Sequence, residues 1–124
     1  MTKMTKGSIK RIARIRRILN EMHDGKGLYE LLGGAKTKEL LDAAFGIGRW
    51  KLFHTPVTYG SPYPGGEGGG YSGNYRIVAP SMETIRDFLH AIGREDGTEY
   101  HFSKFARRVY VDEGTKSVYA LYQS

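Results

Sequence analysis

The sequence predicts an α+β fold in which helices occupy the first third of the chain and a small sheet occupies the rest. Apolar residues recur at helical spacing before Gly46, whereas runs of aromatic and β-branched residues follow Arg49. The predicted order is N-terminal helices followed by β-β-α-β-β, a small four-stranded sheet packed by one helix. A chain of 124 residues can bury a core of this size without metals or disulfides.

The whole chain, 1–124, is predicted to be a single domain with three segments. Residues 1–7 form a flexible basic tail, residues 8–46 a helical segment and residues 49–123 the α+β sheet segment. The sheet segment includes a glycine-rich loop, residues 60–73, in which seven of the fourteen residues are glycine. Such a composition buries too little apolar surface to order itself, so we expect this loop to be mobile.

The first predicted helix is amphipathic and runs from Ile9 to His23, with Ser8 as its cap. Lys10, Arg14 and Arg17 occupy the centre of its polar half, and Arg11 and Arg16 flank the boundary. The apolar half is made of Ile9, Ile12, Ile15, Ile18, Leu19 and Met22.

Shorter elements follow this helix. Residues 27–32 predict a helical turn, and Thr37 is expected to cap a helix that ends at Phe45, before Gly46 and Gly48. This pattern fits an ordinary helical hairpin better than a DNA-reading helix-turn-helix, because acidic residues are mixed with the lysines of the second helix. Residues 50–59 and 75–79 predict two strands of a hairpin. Residues 82–92 predict a helix capped by Ser81, and residues 99–111 and 118–122 predict the last two strands, joined by a turn at 112–115.

The net charge of +6 is concentrated in one segment. Residues 1–17 contain seven basic residues and no acid, so the remaining residues carry 12 basic and 13 acidic side chains, a net of −1. A basic arm on a nearly neutral body indicates a polyanionic partner, with nucleic acid first and an anionic membrane surface second. A smaller basic cluster lies between 104 and 108. The predicted nucleic-acid-binding residues are Lys3, Lys6, Lys10, Arg11, Arg14, Arg16, Arg17, Lys104, Arg107 and Arg108.

Tyrosines flank and interleave the glycine-rich loop, and they form the predicted partner-binding set: Tyr59, Tyr63, Tyr71 and Tyr75. Aromatic side chains on such a loop can stack on unpaired bases or supply contact area to a protein partner. The third alternative is a loop without a binding role.

Several chemistries are disfavoured by the sequence. There are no cysteines, the four histidines lack metal-ligand spacing, and the glycines follow neither a P-loop nor a dinucleotide-binding pattern. We therefore predict no metal, no cofactor and no catalytic residues. The one enzymatic alternative is a small metal-free ribonuclease built around His101 and the cations beside it. No run approaches the ~20 apolar residues of a membrane span, and the N-terminus lacks a signal-peptide pattern, so a cytoplasmic protein is expected.

These observations favour a non-catalytic nucleic-acid-binding accessory protein that uses its basic N-terminal helix. The alternative is a small interaction or inhibitor protein, of phage or mobile-element type, that binds a host macromolecule through the Tyr/Gly-rich loop. The sequence leaves open DNA versus RNA, the identity of any protein partner and the oligomeric state.

Overall fold

The structure is a computed structural model and describes residues 5–22, 28–59, 71–93 and 109–123. Within these ranges the chain forms helices and an antiparallel sheet, which confirms the α+β class. The helices are α1 (Lys6–Asn20), α2 (Leu28–Leu31), α3 (Thr37–Phe45) and α4 (Met82–Ile92). The strands are β1 (Lys51–Tyr59), β2 (Tyr71–Val78), β3 (Val109–Asp112) and β4 (Ser117–Gln123).

Helix α1 begins earlier than the sequence predicted. Its cap is Thr5 and not Ser8, because the Thr5 Oγ1 accepts a hydrogen bond from the Ser8 backbone N–H at 3.0 Å. Lys6 and Gly7 therefore belong to the first turn of the helix and not to a tail, and Ser8 is buried inside it. The helix ends at Asn20, three residues before the predicted end. Residues 1–4 of the predicted tail lie outside the described residues.

The apolar face of α1 is narrower than the sequence predicted. Ile12, Ile15, Ile18 and Leu19 are buried as expected. Ile9 is 55% exposed, so its assignment to the buried face was wrong. Ile9 lies in the first turn of the helix, before the stretch whose isoleucines and leucine enter the core. The helical period gives the direction of a side chain but not how far the core extends along the helix.

Helices α2 and α3 lie where the two helices of the predicted hairpin were expected, but Thr37 does not cap α3. Thr37 is the first residue of α3, and its hydroxyl donates to the Leu31 carbonyl oxygen at 3.0 Å. This bond ties the start of α3 to the end of α2. Gly46 and Gly48 end α3 as predicted, and both have positive φ angles, 99° and 74°, which favour glycine.

The four strands form one antiparallel sheet in the order β1-β2-β4-β3. The register of β1 against β2 shifts between Thr55 and Thr58, where Pro56 lacks the N–H that a regular ladder requires. Gly73 faces this irregularity, and a Cβ at Gly73 would lie only 2.8 Å from the Thr55 carbonyl oxygen. The close approach of two backbones therefore requires a glycine at this position.

Strand β2 is longer than predicted, and this shortens the glycine-rich loop. Residues 71–73 pair with β1 or β4 as part of β2, and Ser72 and Gly73 are buried. The predicted loop boundary at residue 73 was therefore wrong, because both neighbouring strands supply hydrogen-bond partners to this glycine-containing segment. Residues 60–70 lie outside the described residues.

One hydrophobic core joins the helices to one face of the sheet. All four helices contribute to it, as do Ile77, Ala79, Val118 and Ala120 of the sheet region. Helix α1 packs against α3 and α4, whereas α2 lies against β4. The prediction that one helix packs the sheet is therefore not confirmed. Helix α4 itself has the predicted bounds and the predicted cap, since the Ser81 Oγ accepts from the Thr84 N–H at 3.3 Å.

The last hairpin joins β3 to β4. The Asp112 carboxylate closes the turn by accepting hydrogen bonds from the backbone N–H groups of Gly114 and Thr115, at 3.0 and 3.4 Å. This is the predicted turn at 112–115. The part of the predicted third strand before residue 109 lies outside the described residues.

Candidate nucleic-acid interface

Helix α1 presents a continuous stripe of cations to solvent. Lys6, Lys10, Arg14 and Arg17 are all exposed, and their spacing along the helix places them within one quarter of its circumference. Because Ile12, Ile15 and Ile18 fix the opposite face in the core, the helix cannot rotate to bury these cations. No described carboxylate lies within 4.0 Å of their charged nitrogens.

Arg11 is on the same helix but has a different environment. Its guanidinium forms an ion pair with the buried Asp87 carboxylate on α4, and Glu83 lies 3.9 Å away. The side chain of Arg11 is only 28% exposed. Arg11 was predicted to contact nucleic acid; the structure places it as a link between α1 and α4. Arg16, at the other boundary, is half-buried.

A cleft of about 430 Å³ adjoins the cationic stripe. Arg11 and Arg14 line it from α1, Arg49 from the segment after α3, and Ser81 and Thr84 from the start of α4. Arg49 is exposed, and no described carboxylate lies within 4.0 Å of its guanidinium. We call Lys6, Lys10, Arg14, Arg17 and Arg49 the basic surface.

Sequence reasoning did not assign Arg49 to the interface, because it lies 35 positions after Arg14. The turn after α3 brings it there: the Arg49 backbone N–H donates to the Gly46 carbonyl oxygen at 3.1 Å, and Gly46 adopts φ 99°. A Cβ on Gly46 would approach the Arg49 Cδ to 3.1 Å. The pair Gly46 and Gly48 at the end of a helix was the available signal that the chain turns back at this point.

One carboxylate, that of Asp42, also lines the cleft. Both of its oxygens are engaged, one with Lys38 Nζ at 2.7 Å and the other with Trp50 Nε1 at 2.9 Å. These two hydrogen bonds hold the pKa of Asp42 below its ordinary value, whereas burial acts in the opposite direction. Asp42 is therefore ionised, and its negative charge is balanced by Lys38. It does not neutralise Arg14 or Arg49.

The N-terminus of α4 lies at the same cleft, which Ser81 and Thr84 line. Ser81 accepts from the Thr84 N–H, and the Thr84 hydroxyl donates to the Ser81 carbonyl oxygen at 2.7 Å. The positive end of the α4 dipole therefore points toward the region that Arg14 and Arg49 line. Anionic oxygens are favoured there by both the arginines and the helix terminus.

Six of the ten predicted nucleic-acid-binding residues lie on α1, and the other four lie outside the described residues. Lys10, Arg14, Arg16 and Arg17 lie on α1 with Arg11, and Lys6 joins them because the helix begins at Lys6. Lys3 and the second cluster, Lys104, Arg107 and Arg108, lie outside the described residues, as does His101. Whether the second cluster shares a face with α1 stays a prediction.

The tyrosines predicted to form one partner-binding loop have separate environments. Tyr59 is 75% exposed at the end of β1, and its backbone pairs with that of Tyr71 in β2. Tyr75 is within β2, half-buried, and its hydroxyl approaches Gly33 on the helical side of the sheet. Tyr75 therefore does not belong to a loop. Tyr63 lies outside the described residues.

An aromatic cluster that the sequence did not predict surrounds Tyr75. The His54 ring stacks on Tyr75 with centroids 4.3 Å apart, and the His54 Nε2 is 3.0 Å from the Tyr29 hydroxyl. Tyr29 also contacts Tyr75 and Tyr122, at centroid distances of 5.1 and 5.5 Å. Burial raises the pKa of Tyr29, and neighbouring Tyr75 and Glu30 act in the same direction.

This cluster is best explained as the packing between α2 and the sheet. It contains a histidine, but the histidine's partner is a neutral phenol and not a carboxylate that would orient it as a base. No spacing rule relates Tyr29, His54 and Tyr122, because the helical hairpin and the sheet bring them together only in the folded chain. Among residues in the described ranges, no group of three or more acidic or histidine side chains is arranged to hold a metal ion.

Comparisons with protein-family models, with curated proteins and with solved structures find no match for this chain. In the portion of the chain that the structure describes, no helix combines the length and hydropathy that crossing a bilayer requires.

Proposed function

We propose that this protein is a non-catalytic nucleic-acid-binding accessory protein that contacts the phosphate backbone through its basic surface. The observation that carries the proposal is the convergence of Arg14 on α1 and Arg49 after α3 at one cleft, with no carboxylate pairing either guanidinium among the described residues. The exposed stripe on α1 continues this positive field along the helix.

Phosphate is the anion that this arrangement suits. Guanidinium groups donate in a fixed fork that matches two phosphate oxygens, and lysines add charge without demanding a geometry. Successive cations along a helix can each neutralise a phosphate of a polymer and release its condensed counterions. Such contacts fix the position of the protein on nucleic acid without reading its sequence.

The composition of the basic surface supports binding without chemistry. It contains only arginines and lysines, which stay protonated at neutral pH and are poor proton acceptors there. Among the described residues that line the cleft, Asp42 supplies the one carboxylate, and Lys38 and Trp50 occupy both of its oxygens. A general base for phosphodiester cleavage is therefore lacking among the described side chains that line the cleft.

The experiment compares two variants with the same loss of charge. Arg14→Gln/Arg49→Gln removes the two arginines of the cleft, and Arg86→Gln/Lys116→Gln removes two exposed cations outside the basic surface. Binding to a random-sequence duplex is measured by fluorescence anisotropy at several salt concentrations. We expect the cleft variant to bind more weakly and to lower the magnitude of the salt slope by about 2, whereas the control variant keeps the slope of the wild type.

Equal effects of the two variants would contradict the proposal, because they would show that only net charge matters. The thermal stability of both variants is measured in parallel. Exposed charges contribute little to folding, so both melting temperatures should stay close to that of the wild type.

A further inference from the structure

The two faces of the sheet have different side chains. One face packs into the core with Leu52, Tyr75 and Ile77, whereas the alternate residues point to the other side, which we call the outer face. On the outer face, the register places Phe53 opposite Arg76, Arg76 opposite Tyr119 and Tyr119 opposite Tyr110. One row of four side chains therefore crosses all four strands, and we call these four residues the aromatic row.

The aromatic row is ordered by contacts between its members. The Arg76 guanidinium carbon lies 5.9 Å from the ring centroid of Phe53 and 5.9 Å from that of Tyr119. The Arg76 Nε donates to the Ser117 Oγ at 3.0 Å, which fixes the plane of the guanidinium. Tyr110 and Tyr119 are in contact, with centroids 5.7 Å apart. These contacts restrict the side-chain conformations of the row before any ligand arrives.

The two residues at the ends of the aromatic row are exposed to solvent. Phe53 is 51% exposed and Tyr110 is 40% exposed, although aromatic side chains of this size are usually buried. Neighbouring charges leave the row net positive. Among the described residues, the next row carries the exposed Lys51 and the Asp112 carboxylate, whose charges cancel, so the charge of Arg76 remains.

The row consists of three aromatic rings and one guanidinium, and the positive charge lies between Phe53 and Tyr119. This is the chemistry that receives unpaired nucleobases, because every base has a π face and its backbone carries negative charge. A duplex has its bases stacked internally and offers no free π face. Among the described residues, the row itself offers a protein partner one cation, Arg76, and no carboxylate.

We propose that the aromatic row binds single-stranded nucleic acid by stacking its unpaired bases on Phe53, Tyr110 and Tyr119, with Arg76 supplying the cation. This inference rests on the proposed function for the general affinity of the chain for nucleic acid. It adds a preference for single strands over duplex, and it assigns that preference to the sheet and not to α1.

The test measures the affinity of the full chain for a fluorescent oligothymidylate and for a duplex of the same length. The variant Phe53→Leu/Tyr110→Leu removes the two exposed rings while keeping apolar side chains in the strands. Val57→Ala is the control, because Val57 is a 42% exposed apolar residue of β1 that lies outside the row.

We expect the double variant to lose at least about fivefold in affinity for the single strand, with duplex binding and its salt slope unchanged. Val57→Ala should bind both ligands as the wild type does. Equal affinities of the wild type for the two ligands, or an unaltered single-strand affinity in the folded double variant, would overturn this inference and leave the proposed function standing. A wild type that binds neither ligand overturns both.

Photocrosslinking keeps the inference falsifiable if the double variant fails to fold. Wild-type protein is irradiated with an oligonucleotide that contains a halogenated uracil, and the adducts are located by mass spectrometry. Adducts on Phe53, Tyr110 or Tyr119 support the inference, whereas adducts restricted to α1 overturn it. Sedimentation of the free protein tests a second copy as occupant: a dimer that the double variant dissociates would also overturn it.

Discussion

At the scale of single residues, the ion pair between Arg11 and Asp87 distinguishes a cation that stabilises the fold, Arg11, from one available for binding, Arg14. The sequence alone does not distinguish them. Arg11 belongs to the same run of cations as Arg14, but its neighbour across the helix interface is a buried carboxylate. A buried charge that loses its partner costs far more than an exposed charge that does. Arg11 is therefore expected to act on stability, and Arg14 on binding.

We predict that Asp87→Asn lowers the free energy of unfolding by about 1–3 kcal/mol, because Arg11 is left without its main counter-ion in a partly desolvated site. Arg11→Gln should cost more, because it leaves the more deeply buried Asp87 carboxylate without its partner. Urea denaturation of both single variants and the double variant gives the coupling energy. Strictly additive effects of the two substitutions would show that the ion pair contributes nothing.

Gly73 is a second residue whose role depends on its surroundings. We predict that Gly73→Ala destabilises the protein by about 1–3 kcal/mol, because the new Cβ would meet the Thr55 carbonyl oxygen at 2.8 Å. Gly48→Ala is the comparison, since Gly48 has φ 74° with open space around its Cα, and only the cost of the positive φ applies, about 1 kcal/mol. A larger effect at Gly48 than at Gly73, measured by thermal denaturation, would contradict this account.

At the scale of elements, α1 is an amphipathic helix whose two faces can be tested independently. We predict that Ile15→Ala costs about 2–5 kcal/mol of stability, because Ile15 is fully buried and its truncation leaves a cavity. Ile9→Ala should change stability by less than about 0.5 kcal/mol, since Ile9 is 55% exposed. Neither substitution alters the charge of the basic surface. Chemical denaturation of the two variants should therefore rank them clearly, and equal losses would contradict the assigned helix face.

The packing of α2 on the sheet gives a prediction for alkaline pH. Burial raises the pKa of Tyr29 above the ordinary value of 10.0, so the folded state favours the neutral phenol. The stabilising contribution of this effect is complete below pH 10.0 and is lost as the pH rises through the higher folded-state pKa. NMR titration of ring-labelled tyrosine should show Tyr29 ionising above pH 10.0. A Tyr29 that titrates at or below 10.0 would contradict the burial of its hydroxyl.

Local sequence pattern predicted the elements well wherever one helix or turn determines them. Helix α4, its Ser81 cap and the turn at Asp112 follow from residues within a few positions of one another. The predicted cap of α1 was Ser8, but the structure has Thr5. Both are hydroxyl residues that can cap a helix, so capping propensity alone cannot tell which one does. Thr37 was misassigned because its hydroxyl bonds to Leu31 of the preceding helix, a tertiary contact.

At the scale of the whole molecule, the sequence located the charge but not the surface that the charge forms. The run of cations before residue 18 predicted the stripe on α1 directly. Arg49 joins that stripe only because α1 packs against α3, and Arg11 leaves it only because α1 packs against α4. The aromatic row likewise depends on the pairing of β2 with β4, strands 41 residues apart in the chain at Arg76 and Ser117. Helix packing and strand pairing, and not local sequence pattern, determine which residues belong to the basic surface and to the aromatic row.

The measurement that tests the central claim most directly is the salt dependence of nucleic-acid binding by the wild-type protein. If the five cations of the basic surface each neutralise one phosphate, the logarithm of the association constant should fall with the logarithm of salt concentration with a slope of about −4.5 for duplex and about −3.5 for single strands. Binding that is undetectable at ~50 mM salt, or a slope near zero, would contradict the claim that this surface binds the phosphate backbone.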